Sequence, residues 1–168
     1  MDTYSTSTIQ LFALLTLFLI ILIYYVYHFL QSFKSKSLLK KNKTHKRLKC
    51  LSWDDFELLC MELFTKMGWR VRGNEKKGAD GGVDIWMQKK SWKKKNISAI
   101  VQCKRYDDAL VSIKVIREMY GLMHEYGVDE VYVVTTNRFT KECHSFVKEK
   151  KMTLIAGEDL IKLIDKYA

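Results

Sequence analysis

The pattern of apolar and polar positions divides the chain into an apolar N-terminal stretch and a mixed C-terminal part. From Ile9 to Leu30, 22 consecutive residues carry no formally charged side chain. At about 1.5 Å per residue, a helix of that length spans roughly the 30 Å hydrocarbon layer of a membrane. A buried core helix is the alternative, but such helices usually keep a polar stripe. The predicted divisions are a short tail (1–8), a transmembrane helix (9–30), a basic linker (31–49) without regular structure and a folded domain (50–168).

The flanks of the apolar stretch favour a retained anchor over a cleaved signal peptide. A signal peptide needs basic residues before the stretch, whereas the segment before Ile9 holds Asp2 and no Lys or Arg. Residues 31–49 carry eight basic and no acidic side chains. Positive charge beside a span stays on the cytoplasmic side. We therefore predict a single-pass membrane protein with a cytoplasmic C-terminal domain, and contact between the basic linker and anionic membrane lipid.

Net charge is a weak argument for nucleic-acid binding in this chain. The total is +10, of which residues 1–49 supply +7 from eight basic and one acidic side chains. Residues 50–168 supply only +3, from 21 basic and 18 acidic side chains. Attraction to lipid headgroups explains the excess near the apolar stretch without any nucleic acid.

Periodic apolar positions in residues 50–168 predict alternating helices and strands. Ser52 and Asp55 are spaced as a capping box at the start of the first helix, and Gly68 ends it. The predicted order is a helix from Ser52 to Gly68, strands at Trp69–Arg72, Gly82–Lys89 and Ser98–Arg105, a helix at Val111–Tyr126, a strand at Glu130–Thr135, a helix from Thr140 to about Lys150, a strand at Met152–Ile155 and a helix at Glu158–Tyr167. This order implies a mixed central sheet covered by helices.

Strand parity brings three polar side chains together. Alternation puts Gln102 and Lys104 on one face of the strand Ser98–Arg105. The same rule sets Asp84 on one face of the preceding strand, opposite Val83, Ile85 and Met87. If the two strands pair as a hairpin, Asp84, Gln102 and Lys104 converge on one polar patch. Polar groups within apolar strands are costly unless they bind something, so the patch is a candidate site.

The first helix adds a second carboxylate to this patch. Glu57 falls inside the core-facing arc of that helix, which is defined by Phe56, Cys60, Leu63, Phe64 and Met67. A carboxylate in that position needs a metal, a cation or a shifted pKa, unless it lies at the rim and reaches water. Two carboxylates, an amide and a lysine suit phosphodiester hydrolysis, because hard oxygen ligands hold Mg²⁺, which lowers the pKa of a bound water. Lys104 could orient that water or stabilise the developing charge.

Four short motifs occur in order along the chain. They are Gly81-Gly82-Val83-Asp84, Val101-Gln102-Cys103-Lys104-Arg105, Thr135-Thr136-Asn137-Arg138-Phe139-Thr140 and Leu154-Ile155-Ala156-Gly157. Through them, residues 51–165 resemble the Mrr-type restriction endonuclease domain of the PD-(D/E)xK nuclease superfamily. The resemblance implies a restriction-endonuclease-like three-layer α/β/α fold with a mixed central sheet. It also implies Mg²⁺ as cofactor, with Mn²⁺ as an alternative, double-stranded DNA as substrate, and a homodimer where both strands are cut.

The resemblance assigns roles residue by residue. Asp84 matches the metal-binding Asp, Lys104 the catalytic Lys, and Glu57 the acidic residue of the first helix. Gln102 stands where many members of the superfamily have Glu, although Gln is typical of this branch. A neutral ligand weakens metal affinity, which makes Glu57 and the Cys103 backbone carbonyl more important as ligands.

Candidate DNA contacts form a further set. They are Asp80, which could instead form a turn, the hairpin lysines Lys93, Lys94 and Lys95, and Arg105, Thr136 and Thr140. The lysines could bind phosphates. Equally, they could simply be solvated at the tip of the hairpin. Glu75 is a loop acid that could substitute as a ligand.

The function expected from these features is a membrane-anchored, Mg²⁺-dependent endonuclease for DNA. It would act in restriction or DNA quality control, as a type IV, Mrr-like enzyme. The alternative is a catalytically inactive, nuclease-like module that tethers DNA or a protein partner at the membrane.

Overall fold

The computed structural model describes residues 6–74, 82–90 and 96–168, and these residues form helices on both sides of one sheet. Within this described part, the elements in chain order are α1 (Thr6–Lys41), α2 (His45–Lys49), α3 (Trp53–Lys66), β1 (Arg70–Gly73), β2 (Ile85–Lys89), β3 (Ile97–Lys104), α4 (Ile113–Glu125), β4 (Glu130–Thr135), α5 (Lys141–Val147), β5 (Met152–Ile155) and α6 (Gly157–Tyr167).

The sheet is mixed, with its strands in sequence order from β1 to β5. The first three strands are antiparallel neighbours, and β3, β4 and β5 run parallel. Parallel neighbours cannot be joined by a tight turn. Accordingly, α4 connects β3 to β4, and α5 connects β4 to β5. The longest strand, β3, therefore lies at the centre, where the antiparallel and parallel halves meet.

Two apolar clusters, one on each face of the sheet, make this a three-layer α/β/α fold, as predicted. Helices α3 and α6 pack on one face, over side chains that include Val101 and Cys103. Helices α4 and α5 pack on the other face, over Ile100 and Val133. The alternation along β3 thus follows the predicted parity, with Ala99, Val101 and Cys103 on the α3 face and Ile100 on the α4 face.

Strand β2 departs from the prediction at its start. It begins at Ile85 instead of Gly82, and Val83 packs with the α4 cluster and not with Ile85. Gly82 has a φ of +80°, in the left-handed region that favours glycine. The chain therefore turns at Gly82 before regular alternation begins, and the residues before Ile85 do not follow strand parity.

The prediction of a linker without regular structure over residues 31–49 is wrong. Helix α1 continues to Lys41, and α2 follows, capped by Thr44, whose hydroxyl accepts the Arg47 N–H. Leu39 and Leu48 are completely buried in the cluster under α3 and α6. The prediction relied on the many lysines of this segment and overlooked Leu39 and Leu48. Lysine is itself a good helix former.

The chain divides into two compact units, Met1–Ser35 and Lys36–Ala168. In the first unit, the large apolar side chains between Ile9 and Leu30 are all exposed. Helix α1 is, by length and composition, long and apolar enough to cross a membrane.

Burial of Leu48 makes the basic segment part of the folded unit, and this can be tested. We expect Leu48→Ala to lower the free energy of unfolding by about 2–5 kcal/mol, because it removes a fully buried side chain. Leu110→Ala is the matched control, since Leu110 is 49% exposed. Chemical denaturation of the full chain in detergent measures both variants. Equal, small effects of the two substitutions would show that residues 36–49 do not belong to the core.

Candidate active site

The site forms where β2 begins and β3 ends. Ile85 pairs with Val101, so that Asp84, just before β2, lies beside the end of β3. The Asp84 N–H donates to the Val101 carbonyl at 2.9 Å. Its carboxylate accepts the Cys103 N–H at 2.6 Å and the Gln102 side-chain amide. The structure thus joins Asp84 and Gln102 in the polar patch that the sequence predicted.

Gln102 is a buried polar side chain, only 4% exposed. Its amide nitrogen donates to Asp84 and lies 3.4 Å from the Cys103 carbonyl oxygen. A positively polarised N–H₂ group therefore occupies the space between a carboxylate and a carbonyl, two groups that also attract cations. A half-turn of the amide would exchange this nitrogen for the amide oxygen.

Burial dominates the titration of Asp84 and raises the pKa of this carboxyl above its ordinary value of 3.8. The Cys103 N–H, the Lys104 charge and the Gln102 amide act in the opposite direction and lower that pKa, though by less. Ionising the buried Asp84 carboxyl therefore costs free energy, although the two hydrogen bonds and the Lys104 charge reduce that cost. A bound cation would favour the charged form, since opposite charges lower a carboxyl pKa.

Lys104 is half-buried at the last position of β3. Its Nζ lies 6.0 Å from the centroid of the Trp53 ring, at the outer limit of a cation–π contact. The Thr135 hydroxyl donates to the Lys104 carbonyl at 2.7 Å and fixes the backbone at this point. The charge of Lys104 thus acts on Asp84 from the edge of the patch, beside the first residue of α3.

Glu57 is half-buried on α3, one turn before Cys60. A hydrogen bond with Cys60 and complete burial raise the pKa of the Cys103 thiol. The negative charges of Asp84 and Glu57 raise it further. Both carboxylates therefore act on the end of β3, although Glu57 acts from the α3 side of the sheet.

Glu118 is a neighbour of the site that sequence reasoning missed. A Cβ built on Gly82 would lie 2.8 Å from the Gln102 Oε1 and 3.4 Å from a Glu118 carboxylate oxygen. Glu118 is an exposed residue of α4, and only the packing of α4 on the sheet reveals that its carboxylate approaches the site. The glycine at position 82 leaves room for both oxygens.

The predicted DNA contacts have mixed outcomes. The Arg105 Nη1 donates to the Lys49 carbonyl at 2.8 Å and pairs with Asp107 at 3.0 Å, which ties the end of α2 to the exit of β3. Thr136 is fully buried, and its hydroxyl donates to the Tyr106 carbonyl and accepts the Tyr106 N–H. The Thr136 side chain is therefore closed to a ligand, contrary to the prediction.

The remaining predicted contacts lie elsewhere in the chain. Thr140 is the N-cap residue of α5, and its hydroxyl lies 3.5 Å from the Cys143 sulfur. Four others lie outside the described residues: Asp80, Lys93, Lys94 and Lys95. Glu75, the alternative acidic ligand, lies outside them as well.

The donor chemistry of the patch fits a hard divalent cation. The oxygens available there are the Asp84 carboxylate, the Gln102 amide oxygen and the Cys103 carbonyl, which are ligand types that Mg²⁺ prefers. Among the described residues, no three Cys, His, Asp or Glu side chains come together as a metal-binding cluster. A metal at this patch would therefore depend on amide and backbone oxygens as well as carboxylates.

Comparison with known proteins shows a restriction-endonuclease fold. A family model described as Mrr_cat, restriction endonuclease, matches residues 48–164. The structure is similar to the DNA modification-dependent restriction endonuclease AspBHI, with a TM-score of 0.58 at 15% identity. It is also similar to the MspJI restriction endonuclease, solved in complex with a 27-mer oligonucleotide, with a TM-score of 0.50 at 20% identity.

Both alignments cover 79% of this chain but only 35% of the AspBHI chain and 30% of the MspJI chain. This chain thus spans about a third of the length of the solved endonucleases that it matches. No curated protein matches its sequence.

The raised pKa of Asp84 predicts that ionisation of this carboxyl lowers the free energy of unfolding. The unfolded carboxyl ionises near pH 3.8 and the folded one at a higher pH, so stability falls as pH rises between these two values. We expect Asp84→Asn to be more stable than the wild type at pH 7, because Asn can still accept the Cys103 N–H without a buried charge. Thermal unfolding as a function of pH should show this difference shrinking as the pH falls towards 3.8.

Asp108→Asn provides the control, since the Asp108 side chain is fully exposed. It should show no such pH-dependent gain. A stability difference for Asp84→Asn that stays constant with pH would contradict the assigned cause.

Proposed function

This chain belongs to the Mrr_cat restriction endonuclease family, and from that premise we propose that it is a membrane-anchored, Mg²⁺-dependent endonuclease that hydrolyses phosphodiester bonds of double-stranded DNA. The role is that of a type IV, Mrr-like enzyme in restriction or DNA quality control. One observation carries the proposal. The Asp84 carboxylate is held by the Cys103 N–H and the Gln102 amide, within reach of the Lys104 charge.

Asp84, the Cys103 carbonyl and the Gln102 amide oxygen are the groups proposed to hold Mg²⁺, with Glu57 as a further carboxylate. Gln102 must turn its amide to present oxygen, which releases the hydrogen bond that it now donates to Asp84. When bound, Mg²⁺ would neutralise charge on the phosphate and would lower the pKa of the attacking water. Mn²⁺, which also accepts oxygen ligands, is the alternative cofactor.

Lys104 is proposed as the catalytic lysine. Its flexible four-carbon stem ends in three donors, so the ammonium group can reach a phosphate oxygen and orient the attacking water. The Trp53 ring beside it limits where that group can lie. Glu118 is proposed as an additional acid that acts near the amide oxygen of Gln102.

Anchoring by α1 is the second part of the proposal. The exposed apolar side chains between Ile9 and Leu30 suit the hydrocarbon layer, and the basic residues that follow suit the cytoplasmic face. The C-terminal domain would then meet DNA in the cytoplasm. Cutting both strands requires two active sites, which a homodimer would provide.

A plasmid cleavage assay tests the nuclease. The full chain in detergent is incubated with methylated and unmethylated plasmid, in Mg²⁺ or in EDTA. We expect cleavage in Mg²⁺ alone, and a loss of about 100-fold or more in Asp84→Ala and Lys104→Ala, because each removes a group that stabilises charge in the reaction. Lys162→Ala, which removes an exposed lysine on α6, is the control.

Cleavage that persists in either site variant would overturn the assigned site. Binding of DNA with no cleavage at any Mg²⁺ concentration would favour the alternative function, an inactive module that tethers DNA at the membrane.

The neutral ligand Gln102 leads to a separate prediction. We expect Gln102→Glu to lower the melting temperature in EDTA, because two carboxylates then meet in a buried patch. Mg²⁺ should restore stability, at a concentration about tenfold or more below that needed to affect the wild type, since added ligand charge strengthens binding. Thermal unfolding over a Mg²⁺ titration measures both effects.

Gln88→Glu makes the same substitution at an exposed position of β2, outside the proposed metal site. Its response to Mg²⁺ should match that of the wild type. If both variants respond alike, Gln102 does not belong to a metal site.

A further inference from the structure

A groove of about 500 Å³ lies on the sheet beside the C-terminal end of α4, apart from the proposed metal ligands. Its walls include Arg70 and Arg72 of β1, Trp86 and Gln88 of β2, and Tyr126. The volume falls within the range of ordinary small-ligand sites. The function proposed above does not use this groove.

Two arginines give the groove its charge. Arg70 pairs across the sheet with Gln88, and Arg72 with Trp86. Since they are two residues apart on one strand, their side chains lie on the same face, about 7 Å apart along the strand. Both side chains are exposed. Exposed guanidinium groups can bind phosphate oxygens through two parallel hydrogen bonds.

Two aromatic rings give the groove an apolar wall. The rings of Trp86 and Tyr126 meet edge to face, with centroids 5.0 Å apart. Tyr126 is 40% exposed, and Trp86 is half-buried. Aromatic faces that remain accessible beside arginines form the usual platform for stacked nucleobases.

The groove lies close in sequence to the proposed catalytic patch on both β2 and β3. Trp86 follows Asp84 by two residues. Its partner on β3 is Ile100, two residues before Gln102. The nearby acid Asp129 is engaged, because it accepts both the N–H and the hydroxyl of Ser98 at 2.9 Å. One strand of nucleic acid could therefore run from Asp84 over Trp86 to the arginines.

We infer that this groove binds an unpaired nucleotide of DNA, with the base on the Trp86–Tyr126 wall and phosphates on Arg70 and Arg72. The inference rests on the proposed nuclease function and deepens it. An unpaired nucleotide is favoured over a duplex because bases inside a duplex hide their faces in the stack, whereas this site offers rings to stack on. The enzyme would thereby prefer DNA with a locally opened or single-stranded segment next to the cut.

Binding of a fluorescently labelled oligonucleotide tests the inference. The full chain in detergent, kept in EDTA to prevent cleavage, is titrated against a 12-nucleotide single strand and against the blunt duplex of the same sequence. We expect tighter binding of the single strand. Trp86→Ala should weaken it about 5- to 100-fold, as the loss of one stacked base does, and Trp86→Phe should retain most of it. Arg72→Ala should reduce the slope of log affinity against log salt by about 0.7.

Lys162→Ala removes one positive charge from α6, away from the groove, and should leave the single-strand preference unchanged. Arg72→Ala keeps the test valid if Trp86→Ala does not fold, because Arg72 is exposed. Equal binding of strand and duplex would overturn the inference. So would displacement of the oligonucleotide by a polyglutamate peptide of equal charge, which would make the groove a general polyanion site.

The two proposals fail in distinguishable ways. Single-strand binding through Trp86 and Arg72, without plasmid cleavage in Mg²⁺, would overturn the nuclease and support the groove. Cleavage that needs Asp84, in a chain without single-strand preference, would support the nuclease and overturn the groove.

Discussion

The hydrogen bond from the Cys103 N–H to the Asp84 carboxylate is the contact on which the candidate site depends. It joins the entry to β2 to the end of β3 at 2.6 Å and partly offsets the cost of burying a charge. The bond is available because the pairing of β2 with β3 begins only at Ile85, which lies opposite Val101. Residues of β3 beyond Val101 therefore have no partner in β2. The backbone donor of Cys103 is then free for a side chain. An irregular start of one strand thus creates the acceptor position of the site.

The surrounding fold holds that contact in place from three directions. Gly82 turns the chain into β2 with a positive φ that other residues rarely adopt. The Thr135 hydroxyl fixes the backbone carbonyl of Lys104. Beneath them, the Cys60 and Cys103 thiols meet in the fully buried layer under α3. The polar patch therefore lies on a packed apolar support, and its geometry is shared between a turn, a strand and a helix.

The elements that follow simple periodicity were predictable from the sequence. Strands β4 and β5 have their predicted bounds, α3 begins after the predicted cap Ser52, and parity along β3 is correct. The misjudged parts depend on tertiary packing. Leu39 and Leu48 lie among lysines in the sequence, and only the folded structure shows that they are buried in the core. Likewise, Thr136 looks like an accessible hydroxyl in a motif, but its partner Tyr106 is 30 residues away. Glu118 reaches the site only through the docking of α4.

The neutral amide of Gln102 determines the net charge of the proposed metal site. A ligand set with a carboxylate in this place would hold a divalent cation firmly in the absence of substrate, whereas the amide leaves one negative charge missing. The phosphate of bound DNA carries a charge of that sign. Metal and DNA would then strengthen each other's binding by the same factor, as thermodynamic linkage requires. A site of this kind would remain largely without metal until DNA binds, so that cleavage would depend on the substrate being present.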